Sequence, residues 1–237
     1  MKSRNLHTWD LSIDQAKELQ CDLASRVSVV SEDLNPRYVA GVDISAPDAS
    51  GVARGAAVVM SYPDLVIVDH CVTRARVSFP YVPGLLSFRE APLIIRTLEG
   101  LSIDPDLILV DGQGLAHPRR FGIACHIGLL MDVPTIGCAK SRLCGAHFAP
   151  GEERGSYSHL TDGEEVIGAV LRTKPRTNPI FVSVGHRIDL ETAIRYTLDC
   201  GGGDRVPEPT RHAHLAAGGR PMTPSVQEER AEKLGLI

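Results

Sequence analysis

Two acidic residues stand where a carboxylate is costly, and a third joins them. Asp43 lies between Val42 and Ile44 in the strand-like run GVDIS, and Asp111 directly follows the apolar run LILV (107–110). A charge in such surroundings is expensive unless something compensates it. Glu90 stands at the start of a helical stretch after a Pro-rich loop. Two of the three have plainer readings. Asp111-Gly112 is a common turn pair, and Ser87 with Glu90 has capping-box spacing. Gathered around one or two hard cations, the three acids would instead form a phosphoryl-transfer site, where metal generates hydroxide and clamps the attacking and leaving oxygens. Oxygen ligands favour Mg²⁺ or Mn²⁺ over zinc.

Basic and glycine-rich residues follow the acids. The segment 111–120, DGQGLAHPRR, brings Gly112, His117, Arg119 and Arg120 close to Asp111 in the chain. Glycines allow close backbone approach to a ligand. His117 suits phosphate contact or proton shuttling, or is simply a surface histidine. Arg119 and Arg120 at a helix start would be unfavourable to its dipole, and a bound anion would offset this. Lys140 ends the run PTIGCAK and could reach a phosphate as a point charge. Lys140 and Arg142, with Arg172, Lys174, Arg176 and Arg187, make a candidate phosphate track or only a solvated face. His212 and His214 would share a face in a strand, and one of them beside the acids is favoured over a zinc site. Tyr81, within Pro80-Tyr81-Val82-Pro83-Gly84, is an aromatic on a stiff loop. It could wedge between bases or pack on its own prolines.

The elements that must hold these groups read as an α/β arrangement. A helix is predicted over 13–31, with Ser12 and Gln15 at capping-box spacing. Strands are predicted over 38–45, 55–62 and 65–77, then a helix over 88–100 and a buried strand over 107–111. A helix over 119–132 and a strand over 134–140 complete a right-handed crossover unit. Residues 145–164 read as a surface loop, 166–173 and 180–184 as strands, and 189–200 as a helix. The first twelve residues read as a frayed lead. The expected fold is a single α/β domain, a mixed sheet flanked by helices, with its acids at one sheet edge.

Composition narrows the class. The chain has 237 residues, 43% apolar and 23% charged, and a net charge of -4 from 25 basic and 29 acidic residues. This excludes a disordered chain, a coiled coil and a collagen-like fibre. No apolar run is long enough to span a membrane. No secretory signal is read near the start, so the expected compartment is the cytoplasm. The six cysteines, at 21, 71, 125, 138, 144 and 200, include no CxxC pair and read as reduced thiols.

Taken together, GVDIS (41–45), PYVPGLLSFRE (80–90), LILVDGQGLAHPRR (107–120), VPTIGCAKSRLCG (133–145), NPIFVSVGHRI (178–188) and PEPTRHAH (207–214) resemble the endonuclease V family of inosine-directed nucleases. The resemblance covers roughly residues 10–215 and leaves 216–237 as a polar tail, expected to be mobile. It implies a ribonuclease H-like fold and a DNA-repair endonuclease using Mg²⁺, or Mn²⁺. Such an enzyme cuts the second phosphodiester bond 3′ to a deaminated adenine (inosine, hypoxanthine) and leaves 3′-hydroxyl and 5′-phosphate ends. Asp43, Glu90 and Asp111 match the family's metal-binding acids. His117 and Lys140 match active-site residues near the cleaved phosphate, and His214 a position near the metal site. Tyr81 with Pro80, Val82 and Pro83 matches the strand-parting wedge. Backbone around Gly84, Leu85 and Leu86, with Gly112, matches the pocket for the flipped base. The implied partner is inosine-containing DNA, with single-stranded RNA as the alternative, acted on by a monomer. A junction-resolving nuclease of the same fold, a non-catalytic nucleic-acid-binding protein and a sugar- or acetate-kinase-like fold are the rival readings.

Overall fold

The structure, a computed structural model, describes residues 1–31 and 33–220. The expected tail therefore lies, beyond residue 220, outside the described residues. Thirteen elements follow in chain order: α1 (Ile13–Ala24), β1 (Tyr38–Ile44), β2 (Val52–Ser61), β3 (Ile67–Arg76), α2 (Leu86–Glu99), β4 (Leu107–Val110), α3 (Ile123–Met131), β5 (Thr135–Ala139), β6 (Tyr157–Asp162), β7 (Glu165–Leu171), β8 (Ile180–His186), α4 (Leu190–Asp199) and α5 (Glu208–Ala217).

One eight-stranded sheet runs β3-β2-β1-β4-β5-β8-β7-β6. Its centre, β1-β4-β5, is parallel, and every pairing outward from it is antiparallel. This is the mixed α/β sheet that the sequence implies. β4 and β5 are buried along their whole length because helices cover both faces. On one face Ala40, Val42, Ile108 and Val110 pack against α2 and α3. On the other, Val39, Leu107, Leu109 and Ile136 pack against α4 and α5. α1 lies outside α2 and α3, with Leu23 against Phe121, Cys125 and Leu129. Among the described residues, no helix is long and apolar enough to cross a membrane.

The structure corrects several expectations. The first helix has the predicted capping box but ends at Ala24. Its continuation is held by other bonds: Ser28 N donates to His186 Nδ1 (3.2 Å), and Arg187 N donates to Ser28 O (2.7 Å). The second crossover helix starts at Ile123 rather than 119, because Arg120 is in left-handed backbone (φ 51°). Arg119 and Arg120 thus open no helix, and the dipole argument for an anion there loses its ground. The 145–164 stretch contains strand β6, an edge strand with only Leu160 buried. His212 and His214 lie on a helix, α5, not on a strand. The N-terminal lead is packed: Met1, Leu6 and Trp9 lie against the core, and Arg4 N donates to Leu130 O (2.6 Å). The proposed basic track is divided. Arg172 donates to Gly151 O (3.0 Å) and to Thr177 O, and Arg187 follows β8 at the sheet edge opposite the acids, 3.6 Å from Asp132.

Candidate active site

β1 and β4 are parallel neighbours with Val42 opposite Val110. The next residue on each strand is Asp43 and Asp111, so the two carboxylates leave the sheet side by side. β5 continues the row: Lys140, just past its end, pairs with Asp111. α5 supplies the third ligand-bearing group from the other face. His214 Nδ1 lies 2.6 Å from Asp43 Oδ2. One ligand atom each from Asp43, Asp111 and His214 lies within 4.8 Å of the other two. The helix reaches this far because β1 carries Gly41. A Cβ there would stand 2.0 Å from the Pro209 carbonyl carbon of α5.

Glu90, on α2, lines the same cleft of about 380 Å³ as Asp43, Asp111, His117 and Lys140, within the size range of ligand pockets. The capping-box reading of Glu90 fails: no side chain caps α2, and the Ser87 hydroxyl is buried without a partner. Burial, then the Asp43 charge, pushes Glu90 up to about 8. Burial, then the Asp111 charge, also raises Asp43. Crowded, desolvated carboxylates of this kind favour proton uptake unless a cation neutralises them. The donor set, two carboxylates and an imidazole with a third acid in the same cleft, fits a hard divalent cation.

A prediction arises here. A carboxyl whose folded pKa is raised destabilises the fold as it ionises. For Glu90 this loss is absent below about 4.5, grows as pH rises, and is complete above about 8. Metal-free protein is expected to melt lower at pH 8.5 than at pH 5. Excess Mg²⁺ is expected to raise the melting temperature at pH 8.5 and to do little at pH 5. A Mg²⁺ shift of equal size at both pH values would contradict this.

The remaining sequence-predicted residues divide into two groups. Tyr81 is 71% exposed at the cleft lip, so it is not folded onto its own prolines. Val82 O accepts from Leu85 N (2.9 Å), and Pro83 with Gly84 at φ +79° gives this turn its type II character. His117 and Arg119 face inward, while Arg120 turns to exposed acids of β6 and β7. His117 is 3% exposed, and burial pushes it down to about 4, so its ring is neutral. Its Nδ1 accepts from Arg119 N (3.1 Å), and Nε2 therefore carries the proton and donates to Gly84 O (3.0 Å). Arg120 pairs with Asp162 and Glu165 (2.9 and 2.8 Å). His212 pairs with Glu208 (3.3 Å).

Sequence reasoning missed Gln20, Ser87, Gln113 and Ser141 as polar residues of the cleft. Gln113 Nε2 donates to Ser141 O (2.8 Å), which leaves its buried Oε1 without a partner. The usable signal was a glutamine between two glycines in DGQG.

The model of the endonuclease V family matches residues 21–215. A relative from Dehalococcoides mccartyi named endonuclease V is 50% identical, over 92% of this chain and 97% of its own. The crystal structure of endonuclease V from Streptomyces avermitilis superposes with a TM-score of 0.84 at 39% identity, covering 97% and 96% of the two chains. Endonuclease V from Ciona intestinalis, crystallised with a 24mer DNA containing an inosine followed by a ribo-adenosine, gives a TM-score of 0.76 at 28% identity, covering 87% and 96%.

Proposed function

Because the chain belongs to the endonuclease V family, we propose that it is a metal-dependent endonuclease of DNA repair. It recognises inosine in DNA, and in single-stranded RNA as the alternative, and hydrolyses the second phosphodiester bond 3′ to that base. The products carry 3′-hydroxyl and 5′-phosphate ends. The observation that carries this reading is the convergence of Asp43, Asp111 and His214 from three separate elements, with Glu90 in the same cleft.

Asp43, Asp111 and Glu90, with His214, would hold Mg²⁺ or Mn²⁺. Bound there, the cation supplies Lewis-acid stabilisation of charge on phosphate oxygens and lowers the pKa of a water. Lys140 bonds Asp111 and is placed to turn its ammonium to a non-bridging phosphate oxygen once that charge is otherwise neutralised. His214 orients the Asp43 carboxylate through its Nδ1 contact. Tyr81, on its turn-stiffened loop, would stack on or wedge between the bases that flank the extruded one. Arg119 is bonded to Gln20 and to Gly84 O, and Arg120 to Asp162 and Glu165, so in this reading neither grips phosphate.

The experiment is cleavage of labelled single- and double-stranded DNA and RNA, each with one inosine, in Mg²⁺ and in EDTA. Cutting one nucleotide beyond the inosine, in Mg²⁺ only, is the expected result. No cutting of any inosine strand, with binding retained, would promote the junction-enzyme or binding-protein readings. In the same assay, Tyr81→Ala is expected to lower duplex cleavage roughly 10-fold, about the value of one stacked base. Single-stranded DNA should be cut more nearly at the wild-type rate. Equal losses on both forms would remove the strand-parting role.

A further inference from the structure

The carbonyl of Gly84 accepts from three side chains at once. Gln20 Nε2 donates to it at 3.0 Å, His117 Nε2 at 3.0 Å and Arg119 Nη2 at 2.9 Å. Gln20 is the hub of this arrangement. Its Nε2 also donates to Phe121 O (2.9 Å), and its Oε1 accepts from Arg119 Nε (2.6 Å). Its amide thus uses both N–H groups and its oxygen, and the residue is fully buried. In sequence it sits in the apolar stripe of α1, between Ala16 and Leu23. A buried amide in such a stripe is tolerated only when its polar atoms are all bonded.

The bonds join the two walls of the cleft. One wall is the Pro80–Gly84 turn that presents Tyr81. The other is the 112–122 loop that follows Asp111. Gly84 has left-handed backbone (φ +79°), which other residues rarely adopt, and a Cβ there would also stand 2.9 Å from Arg119 Nη2. Arg89 Nη1 pins the other end of the turn through Phe79 O (2.7 Å).

We infer that Gln20 is a positioning residue for base recognition, which fixes the separation of the Pro80–Gly84 turn from the 112–122 loop and so the width of the slot for the extruded base. It touches neither metal ligand nor reacting phosphate. The matched family region begins at residue 21, one residue past it. The inference rests on the nuclease reading for the identity of the base, and on geometry alone for the ordering of the turn.

The test uses full-length wild type, Gln20→Met and Leu23→Ala. Met keeps the volume and removes every bond of the amide. Leu23→Ala weakens α1 packing, its contact with Phe121 included, but removes no hydrogen bond of the clamp. Gln20→Met is expected to raise KM for an inosine strand roughly 10-fold, as expected for lost hydrogen bonding. Its kcat should stay near wild type, and its preference for inosine over adenine should fall by a similar factor. Hydrogen exchange over residues 79–88 is expected to rise in Gln20→Met and to stay near wild type in Leu23→Ala. Leu23→Ala is expected to lower the melting temperature while keeping the inosine preference. If Gln20→Met only melts lower, with exchange over 79–88, KM and base preference unchanged, the inference is overturned. If wild type cuts no inosine strand, the nuclease reading fails, and the exchange experiment still decides whether Gln20 orders the turn.

Discussion

Asp43→Asn is expected to lower inosine-strand cleavage by ~10³-fold, while metal-free protein carrying it melts higher than wild type. The two effects have one cause. Asp43 is a desolvated carboxylate beside a second one, Asp111, and its pKa is raised by burial and then by that neighbour. Removing the charge relieves a repulsion in the metal-free protein. The same change withdraws a ligand from the three-group cluster and with it several kcal/mol of transition-state stabilisation. Asparagine keeps an oxygen for His214 Nδ1, so the 2.6 Å contact need not break. Paired measurements of turnover and of melting in EDTA decide the matter. A variant that melts lower than wild type in EDTA, or that retains more than about a tenth of the activity, would contradict this account.

The second large effect is at a residue with no chemistry of its own. Gly41→Ala is expected to cost about 3 kcal/mol or more of stability, the upper range for overpacking. The added Cβ would meet backbone atoms, Pro209 C and O at 2.0 Å and Thr210 N at 2.4 Å, so no side-chain rotation relieves it. α5 must move off β1, carrying His214 away from Asp43. Activity should therefore fall further than the unfolded fraction explains. Circular-dichroism melting and cleavage at a temperature where the variant is still folded separate the two losses. A variant that melts with wild type would show that α5 does not need this close approach.

Much of this arrangement was legible in the chain. An Asp closing LILV and another within GVDIS mark the ends of two strands, and the strand register sets them side by side. The parts that were not legible failed for physical reasons. α5 opens with Pro207, Glu208 and Pro209, which resemble a loop, yet proline is well tolerated at a helix start because the first amides have no intrahelical acceptor. β6 exposes Tyr157 and His159 and buries only Leu160 fully, so it lacks the apolar run that betrays an inner strand. Val27 extends the apolar spacing of Ala16, Leu19 and Leu23 in α1, but tertiary bonds at Ser28 and Arg187 take that segment out of the helix. Gln20 was the least legible, because its role depends on carbonyls 64 and 101 residues away.

The contact between His214 and Asp43 joins groups 171 residues apart in sequence. During synthesis the strand bearing Asp43 emerges early and the helix bearing His214 late. A nascent chain can pair β1 with β2, and later with β4, long before α5 exists to close over them. Completion of the cluster of Asp43, Asp111 and His214 is therefore vectorial: it comes only after the sheet it depends on has been made. A chain arrested before residue 214 would hold all three acids and lack the imidazole that closes over Asp43.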